Sequence, residues 1–209
     1  MEAKDLFAKC CFSEKQLETM KQIYYKHFAP LMPDFYQGKA IIANWRKDDV
    51  DWEMNKNMDK NHFNKGFVAE DCLEDPLWNE FADLLPYMSR SASITKLPAG
   101  KHMLPHVDRK WRSQALYFPI EGCSELCISE YYNLPKIKTE NNMVFDIFPD
   151  AQHTYSVYGN AYLTNVHEWH GVRNTSSVER IAVGWDFRTP EMSYQDCKDV
   201  LKKLGYLDE

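Results

Sequence analysis

From Ser91 onward the chain alternates apolar and polar residues in short runs. They cover 92–97, 104–107, 113–120, 125–131, 143–148, 153–158, 161–166 and Arg180–Phe187, and turns containing Gly, Pro or Asn separate most of them. Period-two alternation marks strands with one buried face. Short strands at near-regular spacing close into a sandwich or barrel. Gly159-Asn160 between two such runs is a hairpin signal. The pattern predicts a mainly β fold, a jelly roll or double-stranded β-helix of about eight strands with helices packed on one outer face.

The helices come first. Ser13-Glu14-Lys15-Gln16 has the form of a capping box, a hydroxyl followed three residues later by an amide. The helix it opens is expected to run to about His27, with Leu17, Met20, Tyr24 and Phe28 on its core face. Asp75-Pro76 opens a second helix with proline in its first turn. Leu77, Phe81, Leu84 and Leu85 form its apolar stripe, and Pro86 limits it. Between them, 44–64 is polar and reads as loop, with a short strand near 40–45. The expected organisation is one domain, 1–209: a helical N-terminal extension over 1–90, a β core over 91–189 and a helical tail over 190–209.

Composition narrows the class. With 209 residues, 44% hydrophobic and 27% charged, the chain is long enough for one sizeable core. A net charge of −6 gives no bulk attraction to phosphate backbones, so nucleic acid is not an expected partner. No run reaches the roughly 18 apolar residues that a membrane span needs. The first residues carry charges every few positions, unlike a signal peptide. Cysteines 10, 11, 72, 123, 127 and 197 make no Cys-x-x-Cys and read as free thiols of a cytoplasmic protein. Asn174-Thr175-Ser176 is then a chance sequon.

The chemistry gathers in two stretches. In an extended segment His106 and Asp108 point to the same face, so an imidazole and a carboxylate can share a metal ion. A third ligand must come from elsewhere, and His167 and His170 both stand in the later stretch His167-Glu168-Trp169-His170-Gly171-Val172-Arg173-Asn174. Two histidines and one carboxylate are the ligand set of non-haem Fe(II) oxygenases. Arg180 follows His170 by ten residues and His167 by thirteen. A His-x-Asp pair, a distant His followed by Val-x-Asn, and an Arg about ten residues on resemble the Fe(II)/2-oxoglutarate-dependent dioxygenase superfamily over 91–189. That resemblance selects His170 over His167. It implies Fe(II) and 2-oxoglutarate as cofactors, ascorbate as reductant, O2 as co-substrate and a small-molecule or peptide substrate that is hydroxylated. The run 170–177 looks most like that of prolyl or aspartyl/asparaginyl hydroxylases. Asp108 stands where halogenating members have Ala or Gly, which implies hydroxylation.

Arg180 is the fourth expected site residue. Along Arg180–Phe187, alternation puts Ile181, Val183, Trp185 and Phe187 on one face and Arg180, Ala182, Gly184 and Asp186 on the other. One cation beside two very small residues predicts an open volume suited to a carboxylate, which arginine grips with a two-pronged fork. By resemblance that carboxylate is the distal one of 2-oxoglutarate. Position 182 is Ala where many members have Ser or Thr, so Ser93, Thr95 and Tyr117 are the candidate second donors. Arg109, Lys110 and Arg112 would sit at the site mouth, Trp169 would cover the site, and Arg188 would lie on the substrate side if it faces inward. A non-oxidative jelly-roll metal module or cupin-like isomerase could use the same three ligands, but Arg180 has no role in it.

Overall fold

The computed structural model describes residues 2–31, 64–67, 74–108, 114–134, 136–140, 143–147, 150–189 and 191–208. The expected strand near 40–45 and the basic cluster Arg109, Lys110 and Arg112 lie outside them.

Alternation in the second half of the chain becomes two facing antiparallel sheets. In chain order the strands are β1 (Phe7–Lys9), β2 (Asn64–Phe67), β3 (Met88–Leu97), β4 (His102–His106), β5 (Ala115–Glu121), β6 (Cys127–Tyr131), β7 (Lys136–Glu140), β8 (Met143–Ile147), β9 (His153–Ser156), β10 (Tyr162–Thr164), β11 (His170–Asn174) and β12 (Arg180–Phe187). The large sheet runs β1-β10-β5-β12-β3-β2, the small one β4-β11-β6-β9, and β7-β8 form a separate hairpin. Leu97 of the large sheet packs with Met103 and Val172 of the small one. At the other end, Phe7 stacks on Tyr155 at 4.4 Å between ring centroids. The fold is a double-stranded β-helix.

Capping explains where the helices start. Ser13 and Gln16 form the capping box of α1 (Glu14–Ile23), which continues through a π-turn over Tyr24–Phe28. Asp75 caps α2 (Pro76–Asp83) by accepting the Leu77 amide at 2.8 Å. A third helix, α3 (Tyr194–Lys203), begins at a capping box on Ser193. The helical layer covers the outer face of the large sheet. Met20, Ile23, Trp78, Phe81 and Leu85 share one buried cluster with Ile181, Val183, Trp185 and Phe187, the face of β12 that alternation assigned to them.

Several strands depart from the sequence reading. The segment 1–90 is more than a helical extension, because β1 pairs with β10 and β2 pairs with β3 as the outer strands of the large sheet. A strand of three or four residues is too short to show a period. β11 was also missing from the expected strands, since Gly171 and Arg173 break its apolar run. No helix among the described residues is long and apolar enough to cross a membrane. Cys10, Cys11, Cys123, Cys127 and Cys197 are free thiols.

Asp75 ties the two N-terminal helices together. Its Oδ2 lies 2.5 Å from both Lys26 Nζ and His27 Nε2. Those two contacts, Lys26 first, hold its carboxyl far below the usual carboxylate range. A depressed pKa stabilises the fold in full above the unfolded value, about 3.9 for Asp, and the contribution is lost as pH falls below it. Asp75→Ala should lower stability by about 1 kcal/mol from the cap alone. In urea unfolding followed from pH 6 to pH 3, the gap between wild type and variant should be constant at first and shrink below about pH 4. A gap that widens toward acid would contradict this account.

Candidate metal centre

Three donors converge where β4 and β11 pair. His106 and His170 are direct cross-strand partners, and their ring centroids lie 4.4 Å apart. Asp108 follows β4 by two residues, and its Oδ1 is 3.7 Å from His106 Nε2. One ligand atom from each of the three lies within 4.8 Å of the others, close enough for a single ion to gather them. His170 Nδ1 is 2.8 Å from the Glu168 carbonyl oxygen. A carbonyl only accepts, so Nδ1 carries the proton and Nε2 is left as the metal-binding nitrogen. Donor set, spacing and tautomer fit a divalent first-row metal.

His167 is held elsewhere. Its Nδ1 is 3.2 Å from Gln114 Nε2 and its amide donates to Asn165 Oδ1. Gln114, fully buried, also accepts the Val166 amide at 3.0 Å. The Val166 carbonyl in turn accepts the Asp108 amide at 2.9 Å. Gln114 and the 165–167 turn therefore fix the segment that presents Asp108. Trp169 accepts the Tyr132 amide through its carbonyl at 2.9 Å.

Arg180 opens β12 at the opposite end of the sandwich. β11 rises about 3.3 Å per residue, so its far end lies roughly 13 Å from His170. There Asn174, fully buried, organises the arch that leads to Arg180. Its Nδ2 reaches the carbonyls of Leu97, Pro98 and Val178 at 3.0, 3.2 and 2.8 Å, and its Oδ1 accepts from Ser176 Oγ at 2.7 Å. With its amide so engaged, Asn174 cannot serve as a glycosylation site. Arg180 is 2% exposed, and its Nε and Nη1 have no hydrogen-bond partner among the described residues.

The inner face on which Arg180 stands is completed by neighbouring strands. Ser93 and Tyr117 both pair with Gly184, and Thr95 pairs with Ala182, so all three share the inner face with Arg180. The volume expected beside Gly184 is already filled. A Cβ there would lie 2.9 Å from Tyr117 Cε1 and 3.0 Å from Ser93 Oγ. Gly184 is small because side chains from β5 and β3 close over it. Ser93 Oγ donates to the Gly184 carbonyl at 3.2 Å.

Tyr155 is the residue that sequence reading missed. It pairs with Ser129 across β9 and β6, on the inner face, and its hydroxyl is 2.6 Å from Thr164 Oγ1. Burial pushes its pKa up to about 12, while nearby Arg180 pulls the other way. It remains a protonated donor within the field of Arg180. Its ring lies 6.2 Å from that of Tyr131, which lies 6.1 Å from His170, so a row of rings runs from Tyr155 to His170. No motif marks Tyr155; only the pairing of β9 with β6 does. Arg188 does not reach this space. It is exposed and lines a groove of about 350 Å³ beside α2 with Trp78, Pro86 and Trp185.

No protein-family model and no curated protein sequence matches the chain. Among solved structures, it is similar to a Momordica charantia 7S globulin, at 13% identity and a TM-score of 0.36, over 61% of this chain and 30% of that one. It thus spans under a third of the globulin's length. It is also similar to SnoK, a non-heme alpha-ketoglutarate-dependent carbocyclase from nogalamycin biosynthesis, at 11% identity and a TM-score of 0.45, over 88% and 80% of the two chains. A Pseudomonas putida prolyl-4-hydroxylase aligns at 13% identity and a TM-score of 0.41, over 90% and 95%. None of the three assigns an activity to this chain.

Replacing His106, Asp108 or His170 by Ala should weaken Mn(II) or Fe(II) binding by at least tenfold, the range found even for groups that only support ligands. His167→Ala should stay within a few-fold of wild type. Metal titration followed by calorimetry checks both, and loss of binding only in His167→Ala would move the third ligand there.

Proposed function

We propose that this chain is an Fe(II)- and 2-oxoglutarate-dependent dioxygenase that hydroxylates a C–H bond of an amino-acid, peptidyl or related small substrate. The observation that carries the reading is Arg180, a guanidinium 2% exposed with two nitrogens unpartnered among the described residues. It stands on the inner face of the large sheet, and a two-histidine, one-carboxylate cluster stands on the small sheet that faces it. An unpaired buried charge costs several kcal/mol, and a small dianion between cluster and arginine would offset that cost. A non-oxidative metal module leaves the guanidinium unexplained.

Each residue has a part in this reading. His106, Asp108 and His170 would hold the ion, with the Glu168 carbonyl fixing the His170 ring. Arg180 would grip the distal carboxylate of 2-oxoglutarate, and Tyr155, Thr95, Ser93 or Tyr117 would supply a second donor. Leu97, Met103 and Val172 would keep water from that end. When bound, Fe(II) with 2-oxoglutarate supplies the oxidation of a C–H bond by O2, with release of succinate and CO2. Ascorbate would keep the metal reduced. The choice of an amino-acid or peptidyl substrate rests on the likeness of the run 170–177 alone.

Under nitrogen, adding 2-oxoglutarate to the Fe(II)-loaded protein should raise a weak visible charge-transfer band. Arg180→Ala should bind metal normally yet lose about 2–5 kcal/mol of 2-oxoglutarate affinity, the usual cost of truncating one partner of a buried charge pair. Calorimetric titration of 2-oxoglutarate into the Mn(II)-loaded variant reads this directly. Wild-type affinity in the variant, with no band in the Fe(II) protein, would leave the non-oxidative module as the better account.

A further inference from the structure

A second buried charge lies behind the metal-ligand strands, on the outward face of the small sheet. Glu130 sits on β6 between two inward-facing residues, Ser129 and Tyr131, so its side chain points the other way. It is nevertheless 1% exposed. An ionised carboxylate that deep must be paired and hydrogen-bonded, and here the partners come from the chain itself. Arg173 Nη2 donates to Oε1. The Tyr132 hydroxyl donates to Oε2 at 2.8 Å. His102 Nε2 lies 3.2 Å from Oε2, a contact too poorly aimed to count as a hydrogen bond.

These partners bracket the ligands. Arg173 lies three residues after His170 on the same strand, and the Tyr132 amide holds the carbonyl of Trp169, the residue just before His170. His102 opens the strand that ends at His106. The backbone ladder between those two strands is weak where it matters most. Its register shifts between the His170–His106 pair and the Val172–Met103 pair. Within that shift stands Pro105, which has no N–H to give the ladder. Backbone pairing alone therefore does not align the two imidazoles firmly.

We propose that Glu130 is a positioning residue for the metal centre: its buried carboxylate, on β6, ties Arg173 of β11 from behind and holds His170 facing His106. The proposal rests on the metal-centre reading above. It concerns a residue that touches neither metal nor substrate and acts through the strands that carry the ligands. Support of this kind typically changes metal affinity 10–100-fold.

The test is Mn(II) titration of wild type, Glu130→Gln, Arg173→Gln and the double variant, with the Co(II) visible spectrum as a second readout. Glu130→Gln keeps the shape and removes the charge. It should weaken Mn(II) binding about tenfold and alter the Co(II) spectrum. The double variant should be no weaker than Glu130→Gln alone, because both changes break one link. Ile23→Val in the helical layer serves as control, since it lowers the melting temperature without touching the clamp and should leave both metal readouts unchanged. Glu130→Gln with wild-type Mn(II) affinity and Co(II) spectrum overturns the clamp while leaving the metal centre standing. Weakening in the double variant that equals the product of the single losses also overturns it. Wild type that binds neither ion overturns the metal-centre reading, and the clamp with it.

Discussion

The apolar grip of the helical layer on the outer face of the large sheet allows the inner face of that sheet to be polar. Ile181, Val183, Trp185 and Phe187 are buried against Met20, Ile23, Trp78, Phe81 and Leu85. Trp185 also donates to the Ser89 carbonyl at 2.8 Å, so its one polar atom is satisfied. With so much apolar area removed from water on one side, the opposite side of the same strand can carry Arg180. Thr95 and Ser93 line the same inner face on the neighbouring strand, opposite Ala182 and Gly184.

Two of the buried charges, Glu130 and Arg180, are treated differently. Glu130 is neutralised by this chain's own Arg173, with Tyr132 completing its hydrogen bonding. Arg180 has Nε and Nη1 unmatched among the described residues. A buried charge with its hydrogen bonding complete is tolerated, whereas an uncompensated one is costly. Glu130 lies on the outward face of the small sheet, and Arg180 lies on the inner face of the large one.

The positions of Asp108 and His170 are set by polar groups outside the His106–Asp108–His170 cluster. Gln114 and the Val166 carbonyl place Asp108, and the Glu168 carbonyl orients His170. At the far end Asn174 ties together the arch that sets Arg180. Irregular segments carry these contacts because strand ends leave backbone groups that need partners.

The sequence alone determined whatever depends on near neighbours along the chain. Period two located β12 and assigned its apolar face to the helices, and local capping chemistry started α1 and α2 where Ser13 and Asp75 stand. The spacing of His106, Asp108 and His170 picked out three residues whose donor atoms the fold brings within 4.8 Å of one another. Short edge strands carry too few residues to show a period, so β1 and β2 were invisible. The space above Gly184 was misjudged for a related reason, since Tyr117 and Ser93 reach it from strands far away in sequence. Tyr155, Gln114 and Glu130 have no motif at all. Their partners are brought to them by cross-strand register and sheet-on-sheet packing, and only tertiary structure sets which residues those are.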